Sequence, residues 1–429
     1  MASKLLKKIH SRAQLDRAWR AIRSNARDSE SEDVRNEVKK FSQDESRHIG
    51  SLVQRLSRKK FKFEAAKGVP IPKQGSDGKK SKDKFRPIVL APLESRIVQR
   101  SILESLTTHP AFSKYVNSPH SFGGLRRQKD QKLSAVPAAI EATLVAIQNG
   151  ARYVASADIS AFFTRISKSS VRAIVSEAVG DEEFMALFDE AIKVELANLA
   201  SLHEKAKAFP IENIGVAQGN SLSPLLGNII LYEFDIAMNE GDCRCVRYID
   251  DFIILAPTYQ AASSRMRKAK KILSELGMAL SPEKSSKTPV SIRDRFEFLG
   301  VELNNGLIRP NSKSRSRLFT QIDKALDTSI KAFRQFKGGY DLPKTQSLVD
   351  TLKRLDGVVQ GWGKHYRFCN DRVLLRKFDD DIKAKIRAYL GTYTDIRNDL
   401  PGDKQQQLLG VEQLENLGGT PFEWPTIID

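Results

Sequence analysis

Apolar residues recur along this chain at two periods, and the switches between periods outline its elements. In residues 1–60 charged positions dominate, and Ile49, Leu52, Val53 and Leu56 fall at helical spacing, which predicts a helical N-terminal region. The pattern then turns extended. Val69-Pro70-Ile71-Pro72-Lys73 and Phe85-Arg86-Pro87-Ile88-Val89-Leu90 flank the polar, basic stretch Gln74–Lys84, predicting a β-hairpin with a cationic tip. Ile97, Val98, Ile102 and Leu106 make Glu94–Leu106 a helix. Tyr153–Asp158 begins as a strand. Cys245–Leu255 is apolar and β-branched except at its centre, so it reads as two strands with Asp250 and Asp251 at the turn.

Helices separate these strands. Ser223-Pro224 has the character of a helix start, with Ser at the N-cap and Pro at N1, and Leu226, Ile230, Phe234 and Met238 form a buried face. Met266, Ala269, Leu273 and Leu276 line a second amphipathic helix over Thr258–Gly277. Phe296–Leu303 and Leu307-Ile308 flank Asn305-Gly306, a strong hairpin signal. Residues 311–390 are basic and helical. Strand, helix, hairpin, helix, strand is the order of a ferredoxin-type sheet, so the fold class is α+β.

Composition sharpens this picture. A chain of 429 residues exceeds one typical domain. Its net charge of +18 points to a polyanionic partner. The charge is uneven: residues 391–429 carry seven acidic against two basic residues, a net of −5, which leaves +23 on the first 390. Cys243, Cys245 and Cys369 make neither a disulfide framework nor a zinc set and read as buried small side chains. No apolar segment is long enough for a signal peptide or a membrane span, so a cytoplasmic protein is expected.

The chemistry concentrates on carboxylates. Burying Asp250 beside Asp251 is costly unless a cation compensates, and hard divalent ions such as Mg²⁺ take oxygen ligands of this kind. A third carboxylate, Asp158, ends a strand 92 residues upstream of Asp250. Asp158 followed by Phe162-Phe163, then Gln218-Gly219-Asn220-Ser221-Leu222-Ser223-Pro224, then Tyr248-Ile249-Asp250-Asp251, resembles motifs A, B and C of reverse transcriptases. The resemblance covers about residues 60–305 and extends more loosely to about 370. Ser121-Phe122-Gly123-Gly124-Leu125-Arg126-Arg127 is similar to a segment of group II intron and retron enzymes, although Gly124 replaces an aromatic and the usual Pro-Gly is absent. Leu280–Lys284 resembles motif D, the Asn305-Gly306 hairpin motif E, and Gly361–Phe368 a thumb segment.

The resemblance implies a right-hand polymerase with fingers, a ferredoxin-like palm and a helical thumb. Its divisions are an N-terminal helical region (1–60), fingers (61–150), palm (151–305), thumb (306–390) and an acidic tail (391–429). It further implies that Asp158, Asp250, Asp251 and the Ile159 carbonyl hold two Mg²⁺ ions, with Mn²⁺ as a substitute. Lys84 and Arg86 meet the triphosphate of the incoming dNTP, and Gln218 and Gly219 sit under it. Phe163 packs beneath its sugar and excludes a 2′-hydroxyl. Lys284 is the general acid for pyrophosphate. Arg126, Arg127, Trp362 and Tyr366 contact nucleic acid. On the residues alone, Phe162 and Phe163 also suit a core, the basic loops also suit solvent, and Trp362 with Tyr366, four apart, also suits helix packing.

Three biological readings follow from the resemblance. One is a stand-alone bacterial enzyme, of the retron, abortive-infection or defence-associated type, that copies a dedicated structured noncoding RNA into DNA. Another is a group II intron maturase. The third is an RNA-binding protein on an inactive polymerase fold, and the intact set of three aspartates speaks against it. Tyr-Ile-Asp-Asp where intron enzymes usually show Tyr-Ala-Asp-Asp, the altered Ser121–Arg127 segment and the acidic tail favour the first.

Overall fold

The computed structural model describes residues 4–27, 29, 31–74, 80–125, 132–412 and 414. The chain divides into two compact units, Met1–Ile292 and Arg293–Asp429.

In the first unit, four helices lead: α1 (Lys4–Ile9), α2 (Arg12–Arg27), α3 (Glu32–Gln43) and α4 (Glu45–Ser57). Ser31 caps α3 by accepting from the Val34 amide, one of the donors a helix start leaves unpaired. Next come β1 (Lys67–Gln74) and β2 (Lys80–Leu90), paired antiparallel with Ile71 opposite Arg86. The expected hairpin is thus present, and β2 runs back through the basic stretch to Lys80. Helices α5 (Leu93–Thr107), α6 (Ser113–Val116) and α7 (Ala135–Gln148) follow. Arg126 and Arg127 lie outside the described residues.

The sheet is built from β3 (Tyr153–Asp158), β4 (Arg244–Tyr248), β5 (Asp251–Ala256) and β6 (Val290–Ser291), with α8 (Lys168–Val179), α9 (Glu182–Ile192), α10 (Ser223–Ile230) and α11 (Tyr232–Met238) between β3 and β4, and α12 (Tyr259–Glu275) between β5 and β6. Its order is β4-β5-β3-β6 and every pair is antiparallel. Ranked by chain position the order is 2-3-1-4, the ferredoxin-like arrangement expected from the sequence. One hydrophobic core joins this sheet to the N-terminal helices. It holds Ile9, Leu15, Trp19, Ile49, Leu52, Ile97 and Ile102 together with Ala157, Phe252 and Ile254.

Two local expectations change. The helix expected from Ser223 to Met238 is interrupted at Leu231, although Leu226, Ile230, Phe234 and Met238 are all buried. Ser223 is not the N-cap but the first residue of α10, and its hydroxyl donates to the Ala217 carbonyl at 2.7 Å. That bond anchors the loop before the helix instead of capping the helix itself.

In the second unit, β7 (Phe296–Phe298), β8 (Val301–Asn304) and β9 (Leu307–Pro310) form a three-stranded sheet around the Asn305-Gly306 turn. Four helices follow: α13 (Ser312–Lys337), α14 (Leu348–Tyr366), α15 (Arg372–Asn398) and α16 (Gly402–Leu409). Leu318, Ile322, Phe333, Leu355, Phe378 and Tyr393 share their core. Among the described residues no helix is long and apolar enough to cross a membrane.

Candidate active site

Strand pairing brings two carboxylates together. Asp158, the last residue of β3, is the register partner of Asp251, the first of β5. Asp250 lies in the turn between β4 and β5. Its carbonyl accepts from the Ile159 amide at 2.9 Å, so the chain after Asp158 is pinned to the acidic turn. Ile249 holds φ at +62°, left-handed backbone that a β-branched residue rarely adopts and that costs about 1–3 kcal/mol.

The electrostatics show what this crowding does. Burial, followed by the charges of Asp158 and Asp250, pushes the Asp251 carboxyl up to about 7, with Lys284 opposing. Burial and Asp158 also raise Asp250, and the Lys284 and Arg86 charges partly offset them. Burial and like-charge crowding therefore disfavour full ionisation of the cluster by itself. Among the described residues no three His, Cys, Asp or Glu side chains already form a ready ligand set. The donor chemistry still fits hard divalent ions: aspartate oxygens on two facing strands, with a strained turn between them.

The loop after α12 supplies a cation. Ser281 donates to the Asp158 carbonyl at 2.7 Å and Ser286 to that of Ser156 at 2.8 Å, stitching the loop to the outer edge of β3. Lys284 then reaches Asp158 Oδ2 at 2.8 Å. Its neighbour Glu283 pairs with Lys84 of β2 at 3.0 Å. Two adjacent loop residues thus engage the acidic site and the hairpin.

The loop before α10 meets β2 as well. Ile88 bridges to Gln218, and the Val89 amide donates to the Gln218 carbonyl at 2.8 Å. Gly219 stands at φ +115°, and a Cβ there would lie 2.8 Å from the Val89 carbonyl oxygen. The close approach that glycine permits is made here to a strand of the same unit. Arg86 and Gly219 are exposed, while Gln218 is half-buried. Phe162 is buried and Phe163 is half-buried, so the two rings take different environments. Beyond Gly219 a cleft of about 1030 Å³ opens, lined by Arg17, Arg20, Arg100, Leu125, Gly219 and Pro224 among others.

The altered Ser121–Leu125 segment packs on the same centre. A Cβ at Gly123 would lie 2.8 Å from the Tyr248 ring, and one at Gly124, at φ +84°, would lie 2.7 Å from Pro224. No aromatic fits where Gly124 stands.

In the second unit the expected stacking rings are used internally. Tyr366 is buried, and its hydroxyl donates to Ser314 Oγ at 2.7 Å. Trp362 packs on Tyr366 and Phe378 and donates to the Ser314 carbonyl at 3.3 Å. Tyr366 therefore offers no open face to a base, which corrects its expected role as a nucleic-acid contact. The ring pair instead fixes α14 against α13.

Arg247 belongs to none of the motifs legible in the sequence. It is fully buried on β4 and grips Asp235 with Nε at 2.7 Å and Nη2 at 2.5 Å. Nη1 donates to the Ile249 carbonyl at 2.9 Å. Asp235 is also buried, on α11. The signal was weak, since Arg244 shares the strand with Arg247 and Glu233 shares the helix with Asp235, and only burial singles out the pair, because buried opposite charges are usually paired.

A ferredoxin-like palm with aspartates at the ends of its central strands defines a polymerase-type nucleotidyltransferase fold. The sequence profile of the reverse transcriptase (RNA-dependent DNA polymerase) family matches residues 71–303, more than half of the chain. The chain belongs to that family. It is 25% identical over 268 residues to Protein YkfC of Escherichia coli (strain K12), a match covering 54% of this chain and 67% of that protein. Among solved structures it is similar to a partial Cas6-RT-Cas1–Cas2 complex, with a TM-score of 0.35, 19% identity, and coverage of 64% of this chain and 43% of that one. It is also similar to telomerase from Candida albicans in complex with a fragment of telomeric RNA, with a TM-score of 0.40, 14% identity, and coverage of 81% of this chain and 61% of that one. The chain thus spans less than two thirds of either structure.

Proposed function

We propose that this chain copies an RNA template into DNA by nucleotidyl transfer at Asp158, Asp250 and Asp251. The observation that carries the reading is the register pairing of Asp158 with Asp251 beside the Asp250 turn, in a chain of the reverse transcriptase family. In this reading residues 61–150 act as fingers, 151–305 as palm and 306–390 as thumb.

Asp158, Asp250, Asp251 and the Ile159 carbonyl would hold two Mg²⁺ ions, with Mn²⁺ able to replace them. When bound, such ions supply charge neutralisation to the attacking and leaving oxygens. The protein's own part is positioning. Arg86, whose charge already reaches Asp250, faces the triphosphate, and Lys84 joins it on leaving Glu283. Gln218 and Gly219 form the floor under the nucleotide, and Phe163 sits against its sugar. Lys284 moves from Asp158 Oδ2 to donate a proton to the departing pyrophosphate. The basic cleft beyond Gly219 takes template phosphates, and Arg126 and Arg127 are nucleic-acid contacts on the strength of the motif resemblance.

The template is a dedicated structured noncoding RNA, and the setting is bacterial antiphage defence in the cytoplasm. The support is the departure of the Ser121–Arg127 and Tyr248–Asp251 segments from the pattern usual in group II intron enzymes, together with the acidic tail. RNA recognition of this type reads shape and unpaired bases. Two measurements test the reading. Primer extension with Mg²⁺ and dNTPs on an RNA template is expected to fail in Asp250→Ala/Asp251→Ala, and normal extension by that variant rejects the site. Sequencing of co-purified RNA is expected to return one dominant species transcribed beside the gene. A random sample of transcripts rejects the dedicated template, and a spliced intron would favour maturase function instead.

A further inference from the structure

We infer that Arg247 is a positioning residue that orients Asp250 through the peptide bond preceding it. The inference rests on the polymerase reading above and adds a residue outside the acidic set.

The peptide unit is planar, so fixing the Ile249 carbonyl fixes the amide of Asp250 and the direction from which its side chain departs. Arg247 Nη1 holds that carbonyl at 2.9 Å. On the other side of Asp250, its own carbonyl accepts from Ile159 at 2.9 Å. The aspartate is therefore clamped at both flanking peptides. The clamp has strain to work against, because Ile249 at φ +62° is held in left-handed backbone without glycine's freedom.

The guanidinium is itself fixed from several directions. Asp235 takes Nε and Nη2 in a fork, and Asn228 Oδ1 lies 3.3 Å from Nη2. Asn228 Oδ1 also accepts from Ser121 Oγ at 3.0 Å. The backbone of Arg247 is bonded to both His120 and Phe122. The planar fork thus connects α10, α11 and the Ser121 segment to a single carbonyl one residue from the acidic site. Lysine carries the same charge but cannot reproduce this geometry. The interaction acts by orientation: Asp235 matches the Arg247 charge, and the cations that influence Asp250 are Lys284 and Arg86.

Stability alone is a weak reason for the pair, since buried ion pairs can often be exchanged for apolar residues of similar volume. That exchange provides the test. Full-length Arg247→Met/Asp235→Leu removes both charges together, and Arg247→Lys retains an ion pair but loses the fork. Each variant is compared with wild type for melting temperature, for the Mg²⁺ concentration giving half of the metal-induced thermal shift without substrate, and for kcat and KM on primed RNA. The expected result is a folded protein whose KM for dNTP stays within about threefold, whose kcat falls about 10- to 100-fold, and whose Mg²⁺ midpoint rises. If either variant folds and keeps both kcat and Mg²⁺ midpoint within about twofold of wild type, Arg247 is only a core residue. Asp250→Asn separates the two ideas. An inactive wild type or an active Asp250→Asn overturns the polymerase reading, whereas an inactive Asp250→Asn beside fully active Arg247 variants overturns only this inference.

Discussion

Asp158 and Asp251 are register partners on adjacent antiparallel strands, so the fold itself forces two carboxylates to face each other. Local sequence cannot produce that proximity. It depends on β5 pairing with β3 on one side and β4 on the other, which places a hairpin and a strand 92 residues away at one sheet end.

This crowding sets a pH dependence. Asp251 is pushed up to about 7, chiefly by burial. A carboxyl raised in the fold contributes stability that is complete below its unfolded value, near 4, and is lost as pH rises through about 7. Without divalent metal, wild type should therefore melt at progressively lower temperature from pH 5 to pH 8. Asp251→Asn should flatten that decline and be more stable at pH 8 by roughly 2–4 kcal/mol. Mg²⁺ should stabilise wild type at pH 8 and the variant much less. Thermal melts across pH, with EDTA or Mg²⁺, decide it, and parallel pH slopes for the two proteins would refute the assignment.

Phe162 and Phe163 are expected to separate stability from selectivity. Phe162 is 2% exposed, so Phe162→Ala should cost about 3–5 kcal/mol. Phe163→Ala should cost less and relax discrimination against ribonucleotides by opening space at the sugar. Incorporation of dNTP against rNTP by each variant is the measurement. A change of preference with Phe162→Ala alone would mean that the other ring faces the nucleotide.

The contrast between these rings shows what was legible in the sequence. Period and turn chemistry revealed the β1–β2 hairpin, the β4–β5 hairpin and the helix after it, whereas Phe162 and Phe163 open a short 3-10 turn whose differing burial no strand or helix period announces. The ferredoxin-like order followed from element order alone. Other features depend on contacts between distant segments. Leu231 interrupts a helix whose apolar face continues across the break. Arg247 and Asp235 each look anomalous alone and make sense only as a pair. Tyr366 matched a motif, yet Ser314, 52 residues away, takes its hydroxyl.

Gly219→Ala should weaken nucleotide binding. The added methyl would meet the Val89 carbonyl oxygen at 2.8 Å, and φ of +115° is poorly accessible to alanine. The loop must then move away from β2, the strand that carries Arg86. The expected result is a rise in KM for dNTP of about tenfold, corresponding to about 1.4 kcal/mol, with little change in RNA affinity. Unchanged KM would show that the loop tolerates displacement and that its contact with β2 is unimportant for the nucleotide.

Glu283 is expected to compete with the nucleotide for Lys84. Their 3.0 Å pair is largely exposed, so breaking it should change stability by less than about 1 kcal/mol. Its effect on binding is expected to be larger, because a triphosphate must draw Lys84 away from a carboxylate. Glu283→Gln should therefore lower KM for dNTP about two- to fivefold, and Lys84→Ala should raise it by a similar factor. The decisive measurement is the double variant. If Glu283 acts by holding Lys84, Glu283→Gln has no further effect once Lys84 is alanine. If the two changes instead combine independently, Lys84 and Glu283 influence the nucleotide by separate routes and the competition does not exist.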